Sequence, residues 1–223
     1  MPKTIGQFFV RTLALMPVVF FVWYLLTPAL HWPIRWFLSG MSLLGVPEFV
    51  TSVQQTLSGF EFITNLAPSS VPGQSFRPGA TISADVDARL YSFGTALLAA
   101  LTLAAWQAHR WRLLWQGYLW LLPFQMLAVF AVGMKQIVLS SDGAIRTQVG
   151  WAPWQVEVIA YLYQFSTLIM PPVTAVVIWL VLHRGFVEKF VGADVIMMIR
   201  GGRTQLPDRA VASPRATPMP KRS

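Results

Sequence analysis

The 223-residue chain contains no cysteine, which excludes a disulfide, a thiolate nucleophile and a Cys-ligated metal site. Charge is scarce as well: Asp, Glu, Lys and Arg make up 12% of the residues, about half the roughly 25% usual in a soluble domain. That charge falls in short patches. Four runs carry none of it, namely Thr12–Leu30, Leu90–Ala108, Leu113–Met134 and Val158–Leu182, with 19, 19, 22 and 25 residues. They therefore lack the acids and bases on which ion pumps and proton relays depend. A Gly-rich phosphate loop, HExxH and GxSxG are missing too. The three histidines, His31, His109 and His183, fall at run ends without ligand spacing, so each is expected to be an interfacial side chain. No metal site and no cofactor are expected.

What is present is hydrophobic bulk, 55% of the residues, with ten Trp. About 20 apolar residues cross the hydrocarbon core as a helix, so each of the four runs qualifies as a membrane span. The first run outlasts the apolar region of a signal peptide. It is followed by bulky "PALHWPIRWF" instead of a small-residue cleavage site, so an uncleaved anchor is expected. Placing both termini inside puts 12 Lys and Arg with 3 acids on that side, against 5 and 6 outside. Basic residues favour the cytoplasmic side, which supports this orientation. The pI near 10.5 then reports topology and a basic tail, and no nucleic-acid partner is expected.

Between the first two spans the periodicity changes. "HWPIRWFLSGMSLLGVPEF" has helical spacing with Trp32 and Trp36 suited to an interface; it reads either as a short interfacial helix or as a crooked extension of the first span. "FVTSVQQTL" and "FEFITNL" read as strands around a Ser58-Gly59 turn, with Phe60, Phe62 and Leu66 on one face and Thr64 as the exception. "TISADVDARLY" alternates Ile82, Ala84 and Val86 against Ser83, Asp85 and Asp87. So small an element is insecure alone and should pack on the membrane helices or a partner.

The expected fold is an all-α integral membrane protein with four transmembrane helices, cytoplasmic termini and a small extracytoplasmic β-strand element between helices one and two. Its divisions are a cytoplasmic N-terminus over 1–11, membrane helices over 12–30, 90–108, 113–134 and 158–182, and an interfacial helix over 31–46. The β element covers 47–89, an outer loop 135–157, and a basic tail 183–223, disordered from about 201. The short "QAHRWR" loop makes the second and third spans an antiparallel hairpin.

Neutral polarity marks the candidate site. Gln125 and Gln164 lie roughly 14 and 9 Å from the outer ends of the third and fourth spans, counted along straight helices. Their amides could bridge the two helices or meet another membrane protein. Pro171-Pro172 frees two carbonyls in the fourth span and forces a kink, which Ser166 and Thr167 are placed to relieve, and Pro123 should bend the third. Lys135, Gln136 and Glu157 flank the outer ends, with a Lys135–Glu157 pair expected, and Tyr163 precedes Gln164. These eight residues, Gln125, Lys135, Gln136, Glu157, Tyr163, Gln164, Pro171 and Pro172, are the candidates for partner binding or helix packing.

The stretches "LMPVVFFVWYLLTPALHWPI", "DVDARLYSFGTALLAALTLA", "LLPFQ" with "GMKQ", and "YQFSTLIMPPVTAVVIWLVLHRGFVE" together resemble the exosortase H-associated membrane proteins over about residues 8–190. The resemblance implies a bacterial inner-membrane, multi-pass protein whose outer element faces the periplasm. It implies a non-enzymatic accessory subunit of an exosortase-type surface-protein sorting system, with an exosortase as membrane partner. Exosortases depend on a catalytic Cys, which this chain lacks. Rival expectations are a homo-oligomeric small-solute pore or transporter, an assembly factor of another inner-membrane complex, and a membrane enzyme using Ser58 or Ser166 with His31.

Overall fold

A computed structural model describes residues 5–45, 47–68, 80–138, 143–189 and Gly192, apart from the side chains at 143, 144 and 146. The element order is α1 (Ile5–Leu30), α2 (Trp32–Leu43), β1 (Val50–Gln55), β2 (Phe60–Thr64), β3 (Ser83–Val86), α3 (Arg89–Ala105), α4 (Arg110–Val138), α5 (Gly143–Val149), α6 (Pro153–Leu168) and α7 (Met170–Leu182). Residues 69–79, which belong to a Pro-, Gly- and Ser-rich stretch expected as a loop, and the tail from 201 lie outside the described residues. Met1–Arg184 forms one compact unit; Gly185–Ser223 forms another, helical over 185–189.

Among the described residues, two helical stretches are long and apolar enough to cross a membrane, Ile5–Leu43 and Arg110–Val138. A third results if α6 and α7, bent by 62° at their junction, count as one crossing. α3 is apolar but has 17 residues, about 25 Å of helix against a core of about 30 Å. The segment expected as an interfacial helix continues α1 with little interruption. The His31 amide donates to Thr27 O and the Arg35 amide to His31 O, both at 2.9 Å, so the hydrogen-bond ladder runs through the junction.

α1 buries only Phe8, Thr12 and Thr27. The two threonine hydroxyls donate to the carbonyls of Phe8 and Trp23, four residues back, at 2.9 and 2.8 Å. Neither then needs a polar neighbour, and the exposed Phe9, Leu13, Phe21 and Leu25 suit lipid. α3 is the reverse case. Ala96, Ala100 and Ala104 are buried at four-residue spacing, a small-residue stripe that lets neighbouring backbones approach. α3 accordingly packs on α1, α4 and α7. α4 passes through Pro123 as one helix, so the bend expected there does not break it.

The three expected strands form one antiparallel sheet in the order β1-β2-β3. Phe60 and Phe62 are buried as period two requires, and so are Ala84 and Val86. Thr64 joins the buried face because its hydroxyl donates to Ile82 O at 2.7 Å. The Thr56 amide donates to Gly59 O at 2.9 Å to close the turn. A Cβ on Gly59 would lie 1.9 Å from Val86 O, so the turn needs glycine. The sheet sits on α4, where a Cβ on Gly133 would meet the Phe62 ring at 2.7 Å. Phe60, Phe62 and Val86 share one core with Val129, Val132 and Ile137.

Candidate functional site

Of the eight candidate residues, Gln125 and Pro171 come together where α3, α4 and α7 meet. Ile169 separates α6 from α7, which puts Pro171 and Pro172 in the first turn of α7, where a missing amide costs little. The expected single helix over 158–182 is therefore two helices. The ring of each proline clashes with the carbonyl four residues back in a continuous helix, so the chain turns instead. Thr167 donates to Tyr163 O at 2.8 Å and Thr174 bonds Met170 O, so the Thr167 hydroxyl bonds back along its own helix and not to the carbonyls that the prolines free. Ser166 does not act this way: it is fully buried and its hydroxyl has no hydrogen-bond partner among the described residues.

The turn brings Pro171 against α3. A Cβ on Gly94 would stand 2.4 Å from Pro171 O, so α3 and α7 touch backbone to backbone. Beside this contact Gln125 is buried at 4% exposure, and its Nε2 donates to Thr95 Oγ1 at 2.7 Å. A cavity of about 10 Å³, lined by Tyr91, Gly94, Gln125, Pro171 and Thr174 among others, is close to the least volume that can hold a water.

Gln164 does not take part. It is exposed on α6, so the two glutamine amides do not meet. Along that surface Trp154, Glu157, Val158, Tyr161, Gln164, Phe165 and Leu168 are all exposed, at the three- and four-residue spacing of one helix face. Lys135 is half-buried, and its Nζ sits 4.9 Å from the Tyr163 ring centroid. The expected Lys135–Glu157 pair does not form, and Glu157 lies in the exposed stripe. A cation over an aromatic face satisfies the ammonium without an acid. Gln136 is half-buried, as is Pro172.

Two histidines differ from expectation. His31 and His183 are buried at 2% and 1% exposure; only His109 is exposed. His31 Nε2 lies 2.9 Å from Ser92 Oγ, so its hydroxyl partner is neither Ser58 nor Ser166. The pair ties the α1–α2 junction to α3 beneath Phe60, whose ring lies 5.7 Å from the imidazole. His183 stacks on Trp179 at 5.1 Å, and Trp179 on Phe8 at 5.3 Å. Ser92 and Thr95 were not singled out from the sequence, although they are two of the few hydroxyl residues in a helix otherwise rich in Ala and Leu. Their pairings, with residues distant in sequence, were not legible there.

Long apolar helices around a tightly pinned α3–α4–α7 junction, with a small sheet seated on one end of α4, define a helical membrane protein. The chain belongs to the exosortase H-associated membrane protein family, whose model matches residues 2–186. No curated protein and no solved structure matches it.

Proposed function

We propose that this protein is a non-enzymatic accessory subunit of an exosortase-type surface-protein sorting system, held in the bacterial inner membrane. In this reading the chain crosses four times, through α1, α3, α4 and the broken α6–α7 helix, with both termini cytoplasmic and the sheet in the periplasm. The partner is the exosortase, and it docks on the outward stripe of α6.

The observation that carries this is the contrast between two amides. Gln125 is consumed by Thr95 within the chain, whereas Gln164 is exposed with Tyr161, Phe165 and Leu168 around it. An amide facing lipid is costly unless a partner supplies its hydrogen bonds. The family description names an association with exosortase H, and an exposed amide in an aromatic stripe is a surface such a partner could complete.

The test is a photoreactive side chain at Gln164 in native membranes, with the same probe at Trp120 as an exposed control. Crosslinking to a membrane transpeptidase from 164 but not from 120 is expected. Adducts to lipid alone at 164, with the chain purifying by itself in a mild detergent that preserves other complexes, would overturn the reading.

A further inference from the structure

Positive charge without a counter-charge collects at the helix ends opposite the sheet. Phe8 stacks on Trp179 at 5.3 Å and Trp179 on His183 at 5.1 Å, which sets the start of α1 beside the end of α7. A Cβ on Gly117 would stand 3.4 Å from Leu182, so the first turns of α4 lie there too. Arg11, Arg110, Arg112 and Arg184 come to this end, yet residues 1–47, 88–141 and 158–187 contain no Asp or Glu. None of these four guanidinium groups has an acid or a hydrogen-bond acceptor among the described residues. Arg89, at the sheet end, differs: it donates to the Tyr24 hydroxyl and to Leu57 O.

Arg110 is the one held in place. It is half-buried, and its guanidinium carbon lies 4.5 Å from the centre of the Trp106 ring and 6.0 Å from that of Trp111. Trp106 reaches that position through a left-handed backbone, φ 50° and ψ 47°, and no other non-glycine among the described residues has a positive φ. Bulky side chains rarely adopt it. The ring faces attract the cation, but they leave its planar fork of N–H donors open. That fork matches a phosphate, which it can grip through two parallel bonds.

Depth identifies the source of the phosphate. α4 is long and apolar enough to cross a membrane, and Arg110 stands three residues before Leu113, where its uncharged run begins. That is about 4.5 Å along the axis, within the headgroup layer of roughly 5–7 Å that flanks the hydrocarbon core on each side. Trp106 and Trp111, exposed at 55% and 66%, belong to the residue type that settles at this level. We propose that Arg110, framed by Trp106 and Trp111, binds the headgroup phosphate of an anionic phospholipid. Arg11, Arg112 and Arg184, all exposed, supply the field that favours an anionic lipid over a zwitterionic one. This site is separate from the α6 stripe and does not depend on the docking proposed for it, nor on which side of the membrane the α3–α4 turn faces.

The full chain, purified in mild detergent, is offered equal amounts of phosphatidylglycerol and phosphatidylethanolamine and read by native mass spectrometry. Preferential retention of phosphatidylglycerol is expected. Arg110→Gln should cut that preference about fivefold, the factor for one arginine lost at an anionic surface, and Arg110→Lys, which keeps the charge without the fork, should fall between. Trp106→Gly suits the left-handed turn, so it should match the parent in circular dichroism and still lose preference. Arg35→Gln, which removes an exposed arginine from α2, should change nothing. No preference in the parent, an unchanged preference in Arg110→Gln, or an equal loss in Arg35→Gln would each overturn the proposal, the last by showing that bulk charge alone acts. Displacement of the lipid by excess inorganic phosphate would overturn it as well, as the mark of a free-anion site.

Discussion

The junction of α3, α4 and α7 and the outward face of α6 are built from similar residues and treat them oppositely. At the junction every close approach is taken up: Gly94 lies against the Pro171 carbonyl, and Gln125 is spent on Thr95. On α6 an amide, an acid and several aromatics are left facing outward. Residue type alone does not tell a structural glutamine from an available one. What decides is whether a hydroxyl on a neighbouring helix arrives at the same depth.

Substitutions can break or sharpen this contrast. The largest effect is expected from Gly94→Leu, since a side chain there must displace backbone. Overpacking of this kind costs about 3 kcal/mol, and thermal unfolding in a fixed detergent should show it as a collapsed transition. Next comes Gln125→Leu, which leaves the Thr95 hydroxyl without its partner at a cost of about 1 kcal/mol. Gln164→Leu should leave the unfolding temperature unchanged while abolishing co-purification of the exosortase. Equal destabilisation by both glutamine variants would erase the distinction between the two faces. Lys135→Met removes the cation from the Tyr163 ring and should cost about 0.5–1 kcal/mol. Glu157→Gln, by contrast, should shift stability by less than about 0.5 kcal/mol, because its carboxylate is exposed and holds no lysine among the described residues.

Much of the fold was legible because it rests on short-range periodicity. Alternation placed β2 and β3, β-branched and aromatic content placed β1, Ser58-Gly59 lies in the turn joining the first two, and the uncharged runs mark the segments that became α1, α3, α4 and α6–α7. The site was less legible for a geometric reason. Comparing the depths of Gln125 and Gln164 assumes two straight axes, and the 62° bend at Ile169 removes that assumption. Two prolines announce that a helix will turn, but the angle is set by what the turned helix packs on, here Gly94. His31 read as interfacial because it ends an apolar run. Its burial depends on Ser92, Phe60 and the sheet, none of them local to it.

The seating of Phe62 on Gly133 also dictates an order of events. Ribosomes deliver the sheet residues before α4 exists, yet Phe60, Phe62 and Val86 complete their core only with Val129, Val132 and Ile137. The sheet segment must therefore wait, unassembled, until a later helix has been made. Its maturation is a readout of that helix's arrival, and a truncation ending before residue 129 would leave it permanently unfinished.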